Sequence, residues 1–516
     1  MAARTNTAPR SQSSIPAEAI FLRGEPDQTL QARLIAGIVE FLLSHRIPSG
    51  TRMPGTRALA AALGLSRMTV TLVYQELVAR GYLDSRPRSG FQVARDIPAL
   101  RVGLGGANDA AQEVRWGEWL KGGVERKRVI RKPADWRSYP YPFIYGQGDP
   151  GLFDHAAWRD CARRALSARE FAELAFDLLT RDDPMLIDYI CTRTLPRRGI
   201  MARPEEVLIT VGSQNALFLA IDILARPDRL AVLEEPGYPD FVETLRRSDA
   251  PLQWVPVDSD GLDPASLPKG TRLVVATPSH NIPTGATMPL QRRLDLLARA
   301  ETEDFLIVED DYDFEMSYLA PPLPALKSLD REGRVIYLGS FSKSLFPGLR
   351  IGYLVASAPM IAAARETRAI MLRHPPTHLQ RTTAHFLALG HYDAHVVRLR
   401  EEMKRRRNEM IDALSGTDFS IAGTARDGGA SIWLAAPEGV DSAMLADYAR
   451  RVGVLIEPGA VFFETPPSPC RFFRLGYGSI PVDRIRPGLR QLQRACDEMR
   501  GFPSGRERRG RADDLG

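Results

Sequence analysis

In the stretch TLQARLIAGIVEFLLS, residues 29–44, the apolar positions Leu30, Leu34, Ile38, Phe41 and Leu42 recur as one stripe of an α-helix. Thr56 opens a second, Ala/Leu-rich helix that Gly64 stops, and Ser66 caps a third that runs to about Ala79. Gly81 ends the third helix, and YLDSRPRSGFQV then reads as two short strands around a Pro/Gly/Arg tip. Helix, helix, short turn, helix and hairpin is a winged helix-turn-helix layout over residues 28–95, α with a small β wing. Residues 1–27 are polar and aperiodic and predict a mostly disordered N-terminus. Residues 96–138 lose the pattern again and predict a linker.

From residue 139 to 502 the texture changes. EVLIT, RLAVLEE, RLVVAT, DFLIVED and RVIYLGS are continuous apolar runs separated by helical stretches. Runs of this kind suit buried, largely parallel strands, so this body is α/β. Ligands of open α/β sheets sit at the carboxyl ends of the strands, and the polar residues that end these runs should therefore converge. Residues 503–516 predict a solvated, disordered tail.

Composition narrows the class. The 516 residues are 44% hydrophobic and 25% charged, as in a multidomain globular protein. No run approaches 18 apolar residues and no secretory leader is read, so no membrane is expected. The four cysteines are scattered and point to reduced thiols in the cytoplasm. Residues 1–95 hold 12 Arg, no Lys and 6 acidic residues, whereas the whole chain carries only +5. A basic module before a near-neutral body is the charge pattern of a polyanion reader joined to something else.

The strand ends carry chemistry. Gly212, Ser213 and Gln214 lie between VLIT and a helix, where free N–H groups can receive a phosphate. In SFSKSLFPGLRIG, Ser340 and Ser342 offer hydroxyls, Arg350 a two-pronged cation, and Lys343 an amine. Asp310 ends a buried strand and needs a cationic partner, and Tyr312 lies on the same face. An amine that can lose its proton, a phosphate cradle and a buried carboxylate together describe pyridoxal 5'-phosphate chemistry.

VGSQNAL, EEPGY, TPSHNIPTG, VEDDYDFE, SFSKSLFPGLRIGY and FRLGY occur in the order found in fold-type I, aspartate-aminotransferase-like enzymes, which residues 139–502 resemble. The resemblance implies Lys343 as the Schiff-base lysine, Asp310 on the pyridine nitrogen and Tyr312 on the ring hydroxyl. It implies Ser340, Ser342, Arg350, Ser213 and Gln214 on the phosphate, Tyr238 against the ring, and Arg474 as the clamp for a ligand carboxylate.

PSGTRMPGTRALAAALGLSRMTVTLVYQELVARGYL likewise resembles the GntR-type winged helix. On that resemblance Ser66, Arg67, Thr69 and Thr71 start the recognition helix, Arg52 and Arg57 meet the DNA backbone, and Arg86 and Arg88 form the wing tip. The two modules together resemble the MocR/GabR-type transcription regulators. KPADWRSYPYPFIYGQGDPGLF and LRHPPTHLQRTTAHFLALGHYDAH look like the subgroup linked to ectoine utilisation. These resemblances imply a head-to-tail homodimer on a double-stranded operator. An amino-acid-like effector would be sensed through external aldimine formation at Lys343, without an enzymatic role. The alternative is an active aminotransferase with an appended DNA module. His374, His378, His391 and His395 recur at i,i+4 spacing, yet prolines and the lack of carboxylate partners predict no metal.

Overall fold

In a computed structural model, residues 14–23, 28–45, 47–86, 90–95, 116–119, 128–424 and 426–501 are described. The chain divides into two compact units, Met1–Gly122 and Gly123–Gly516. Among the described residues no helix is long and apolar enough to cross a membrane.

The first unit is built on three helices, α1 (Leu30–Ser44), α2 (Thr56–Leu63) and α3 (Arg67–Ala79), and a hairpin of β1 (Leu83–Arg86) and β2 (Gly90–Val93). Thr29 Oγ1 accepts from the Ala32 N–H at 3.3 Å and starts α1. Gly64, at φ 65°, ends α2, and Ser66 Oγ accepts from the Thr69 N–H to start α3. Leu34, Ile38, Leu42, Val70, Val73, Leu77, Leu83 and Val93 form one core, and the Tyr74 hydroxyl donates to the Pro54 carbonyl across it. Leu30, placed on the buried stripe by spacing, is instead 50% exposed in the first turn.

Residues 14–23 depart from the expected disorder. Ile15, Ala17 and Ile20 are buried in the same core, and the Ile15 N–H donates to the Arg52 carbonyl. The segment crosses α1 at Gly37, where a Cβ would stand 1.9 Å from the Phe21 carbonyl oxygen. Three apolar residues inside a Ser/Pro-rich run were too few to show periodicity, but enough to cover α1. Residues 1–13 and the tail from 502 lie outside the described residues. So does most of the expected linker, but its last part is described: Ile130 packs against the cluster of Ile282, Tyr312, Trp433 and Phe462.

The second unit begins with β3 (Tyr141–Pro142) and continues through β4 (Val207–Thr210), β5 (Leu230–Glu235), β6 (Leu252–Asp258), β7 (Gly261–Leu262), β8 (Thr271–Ala276), β9 (Leu306–Asp310), β10 (Val335–Ser340) and β11 (Gly352–Val355). The large sheet runs β4-β11-β10-β9-β8-β5-β6-β7. It is parallel from β10 to β6, while β11 is antiparallel to both neighbours. Five of these strands coincide with the apolar runs. β6 alternates polar and apolar residues because it lies next to the sheet's edge, and β11 is four residues long; neither stood out as a run. A second, antiparallel sheet holds β12 (Ser420–Ile421), β13 (Ser431–Ala435), β15 (Glu457–Pro458) and β16 (Phe472–Gly476), while β14 (Val454–Leu455) pairs with β3.

β11 brings distant polar turns together. Gly352, its first residue, is in register with Ser340 at the end of β10 and with Thr210 at the end of β4. Two chain segments 130 residues apart therefore deliver their polar turns to one place. A Cβ on Gly352 would lie 2.7 Å from the Gly212 backbone, so only glycine lets them close.

Candidate functional site

A cavity of about 220 Å³ opens at the carboxyl ends of these strands, lined among others by Ser213, Tyr238, Asp310, Tyr312, Lys343 and Arg474. Six of the residues named from sequence therefore share one space. Ser340 and Ser342 are buried at the head of the Lys343 turn, where the Ser342 N–H donates to Ser340 Oγ at 3.1 Å. Arg350, at φ 55°, reaches back so that its Nη2 donates to the Val211 carbonyl at 3.2 Å, beside Ser213 and Gln214 at the start of the helix Gly212–Leu224. A Cβ on Gly212 would come within 2.8 Å of that guanidinium, so the glycine, at φ 74°, makes room for it.

Consecutive residues at the end of β9 go opposite ways, as strand geometry requires. Glu309 accepts from the Leu326 and Lys327 N–H groups. Asp310 faces the cavity, and its Oδ1 is buried without a partner among the described residues. Asp311 turns away into a fully buried pair with Arg198, Nε to Oδ2 at 2.7 Å, and also accepts from the Tyr337 hydroxyl.

Electrostatics at the centre follow from burial. Burial pushes the Asp310 carboxyl up to about 8, Asp311 and Asp313 push the same way, and Lys343 opposes them. Burial and the nearby Arg474 push the Lys343 ammonium down to about 8, with Asp313, Glu457 and Asp310 opposing. An amine so placed is substantially unprotonated in mildly alkaline water and can act as a nucleophile.

Tyr312 is buried, and its hydroxyl donates to the His280 carbonyl at 3.3 Å. Tyr238 is held by a hydrogen bond to Asp240 Oδ2 at 2.9 Å. Arg474 lies on β16 directly across from Glu457 on β15, and its Nε donates to Glu457 Oε2 at 2.7 Å with both side chains buried.

Glu457 and Tyr145, which also line the cavity, were not among the residues named from sequence. Glu457 had one signal, a lone carboxylate in the apolar run GVLIEPGAVFF, where a buried acid demands a cation. Tyr145 lay in the aromatic run YPYPFIYGQG and had no signal of its own. Its ring stands between the two cations, 4.5 Å from Lys343 Nζ and 4.3 Å from Arg474 Cζ.

The donor set fits pyridoxal phosphate. The unpartnered Asp310 Oδ1 suits a charged ring N–H, and the unpartnered buried Ser342 Oγ suits a phosphate oxygen. The Gly212 turn with Arg350 completes an anion cradle. The histidines form other contacts: His374 Nε2 pairs with Asp177 and His385 Nε2 with Glu170. Among the described residues no group of His, Cys, Asp and Glu could hold a metal ion.

In the first unit Arg52, Arg57, Arg67 and Arg86 are exposed and have no ion pair among the described residues; Arg88 lies outside them. Ser66, Thr69 and Thr71 do lie at the start of α3, but their hydroxyls bond within the helix. Ser66 Oγ and Thr69 Oγ1 are 2.8 Å apart, and Thr71 Oγ1 donates to the Arg67 carbonyl.

Residues 184–492 match the family Aminotransferase class I and II, and residues 30–93 match Bacterial regulatory proteins, gntR family. The HTH-type transcriptional regulator TauR of Rhodobacter capsulatus is 50% identical over 93% of this chain and 99% of its own length. The probable rhizopine catabolism regulatory protein MocR of Rhizobium meliloti is 30% identical over 92% of this chain and 95% of its own. Among solved structures, α-aminoadipate aminotransferase LysN of Thermus thermophilus, complexed with N-(5'-phosphopyridoxyl)-L-leucine, superposes with a TM-score of 0.67. It is 28% identical, over 75% of this chain and all of that one.

Proposed function

The chain belongs to the MocR-type HTH transcriptional regulators, a GntR-type DNA-binding module joined to an aminotransferase class I and II body, and from that premise we propose that an amino compound captured at Lys343 resets its affinity for DNA. Pyridoxal phosphate, the cofactor of this body, supplies when bound an aldehyde carbon that takes amines reversibly. The chain does the rest. Lys343 would hold that carbon through its amine, which burial and Arg474 make less basic than a free lysine. Asp310 holds positive charge on the ring nitrogen. Ser213, Gln214, Ser340, Ser342 and Arg350 grip the phosphate. Tyr238 and Tyr312 border the ring, and Arg474, oriented by Glu457, receives an anionic group of the effector. Arg52, Arg57, Arg67 and Arg86 serve the operator. A second copy of the chain covers the exposed apolar side chains Phe176 and Ile370, 69% and 90% exposed, in a homodimer that works in the cytoplasm.

The observation that carries this reading is the convergence of Lys343, the unpartnered Asp310 oxygen and Arg474 on one cavity, in a chain that also carries a DNA-binding helix. Titrating the cofactor-loaded protein with a panel of amino acids, diamino acids and aminosulfonates tests it. One class should change the visible spectrum and shift operator affinity together, with no sustained product when a keto acid is added. Continuous turnover without any effect on DNA would assign the body to catalysis instead.

Buried carboxyls predict a pH dependence. In cofactor-stripped protein Asp310 titrates at about 8 and Glu234 and Glu315 at about 7, burial being the main cause in each case. The unfolded chain releases the same protons near pH ~4. The folded state thus holds protons the unfolded state has lost, and its stability declines as pH rises from about 5 to 8. Lys343, depressed to about 8, changes its contribution only above that window. The thermal midpoint of stripped protein should fall between pH 6 and pH 8, and adding pyridoxal phosphate should flatten the slope by its Asp310 share. A midpoint that climbs over this range contradicts the assignment.

A further inference from the structure

α3 presents an apolar surface where a recognition helix meets the groove, and we propose that Met68, with Leu72 one turn on, reads thymine methyl groups in the operator. Met68 is 66% exposed and Leu72 44% exposed, at i,i+4 on one face. The opposite face cannot take them in, because Val70, Val73, Tyr74 and Leu77 already fill the core.

The polar side chains beside them are engaged locally, in bonds within their own turn of helix. Ser66 and Thr69 are bonded to each other and to the first helical turn, and Thr71 is bonded to the Arg67 carbonyl. What the first turns of α3 offer outward is Arg67, Met68, Leu72 and, a turn further, Gln75.

Charge identifies the occupant. Residues 47–95 contain seven arginines against two acidic residues, and Glu76 already pairs with Arg80. Arg67 stands exposed next to Met68, and Arg52 and Arg57 are exposed elsewhere in the same module. A polyanion fits there, and on the floor of the DNA major groove the C5-methyl of thymine is the apolar group that distinguishes one base edge from another. A thioether laid on a polar base edge would strip its water without replacing the hydrogen bonds, so Met68 discriminates against other bases as well as attracting thymine. Arg67 supplies the adjoining polar contact, to phosphate or guanine. The inference rests on the GntR-type module alone and not on what happens at Lys343.

The test uses the full-length, cofactor-loaded protein. Duplexes are selected from a random pool, and each thymine of the best duplex is replaced in turn by deoxyuridine, which pairs identically but lacks the methyl group. At one or two positions the wild-type protein should lose about four-fold in affinity, the worth of one buried methyl-sized group. Met68→Ala should bind the parent duplex more weakly by a similar factor and become indifferent to deoxyuridine at its position, while Met68→Leu keeps the discrimination. Leu72→Ala should do the same at a second position. Both side chains are exposed, so the variants are expected to fold, and circular dichroism and unchanged binding to unselected DNA check this. Failure of any duplex to enrich, wild-type indifference to deoxyuridine throughout, or full discrimination by Met68→Ala overturns the proposal. Unchanged DNA affinity of Met68→Ala with an altered subunit assembly would assign the face to a protein contact and overturn it equally.

Discussion

Lys343→Ala is expected to abolish the response of DNA binding to every effector while leaving DNA binding itself intact. The lysine is the amine in the cavity, its Nζ 4.5 Å from the Tyr145 ring, and alanine leaves nothing there for an incoming amine to displace. The variant should purify without the absorption band of covalently held cofactor. The ratio of operator affinities with and without effector should fall to one, because coupling requires that the ligand bind the two states of the protein differently. Basal DNA affinity should survive, since α1, α2, α3 and the hairpin have their own core. Electrophoretic mobility shifts or fluorescence anisotropy on wild-type and variant, each with saturating effector, give the answer. A full effector response in the variant would remove Lys343 from the mechanism.

The second large effect concerns stability and lies one residue from the cavity. Asp311→Ala should cost about 3–5 kcal/mol, because it leaves the Arg198 guanidinium buried without its counter-charge. Arg198 keeps its hydrogen bonds to the Leu323 carbonyl and Ser279 Oγ, but these carry no negative charge, and the Tyr337 hydroxyl loses its acceptor as well. Denaturant unfolding should show the loss, and Asp311→Asn, which keeps an acceptor, should fall between wild type and alanine. Asp160→Ala, which breaks a pair with Arg163 exposed to solvent on both sides, should change little. Equal effects from the buried and the exposed pair would show that burial does not set the cost.

The contrast between Asp310 and Asp311 shows what a sequence conveys. That VEDD ended a buried strand was legible, because the apolar run Phe305–Val308 stops at charge. Which of the two aspartates meets the cavity was not legible, since alternation along the chain gives opposite faces without saying which one does. Helix starts at Thr29 and Ser66 were legible because capping is local.

Long-range pairings were hidden. Nothing in GYLV announces that it inserts antiparallel between β4 and β10, yet that placement joins Gly212 to the Ser340 turn. Glu457 and Arg474 meet only because two short strands pair in one register. Residues 14–23 were invisible for a different reason: their apolar content is low, and their docking depends on the missing side chain of Gly37 on another element. In the first unit the local bonds of Ser66 and Thr71, each closed on its own helix, were likewise hidden from residue type alone.

Lys343 hangs from the large sheet and Arg474 from the small one, with Tyr145 wedged between them. On the proposed function, a compound carrying both an amine and an anion would span that gap and hold the two sheets in one fixed relation. A plain amine can occupy the lysine's place while tugging on one side only. Potency in switching transcription should therefore follow the second anchor rather than occupancy, and monofunctional amines should behave as blockers that fill the protein without turning it on or off.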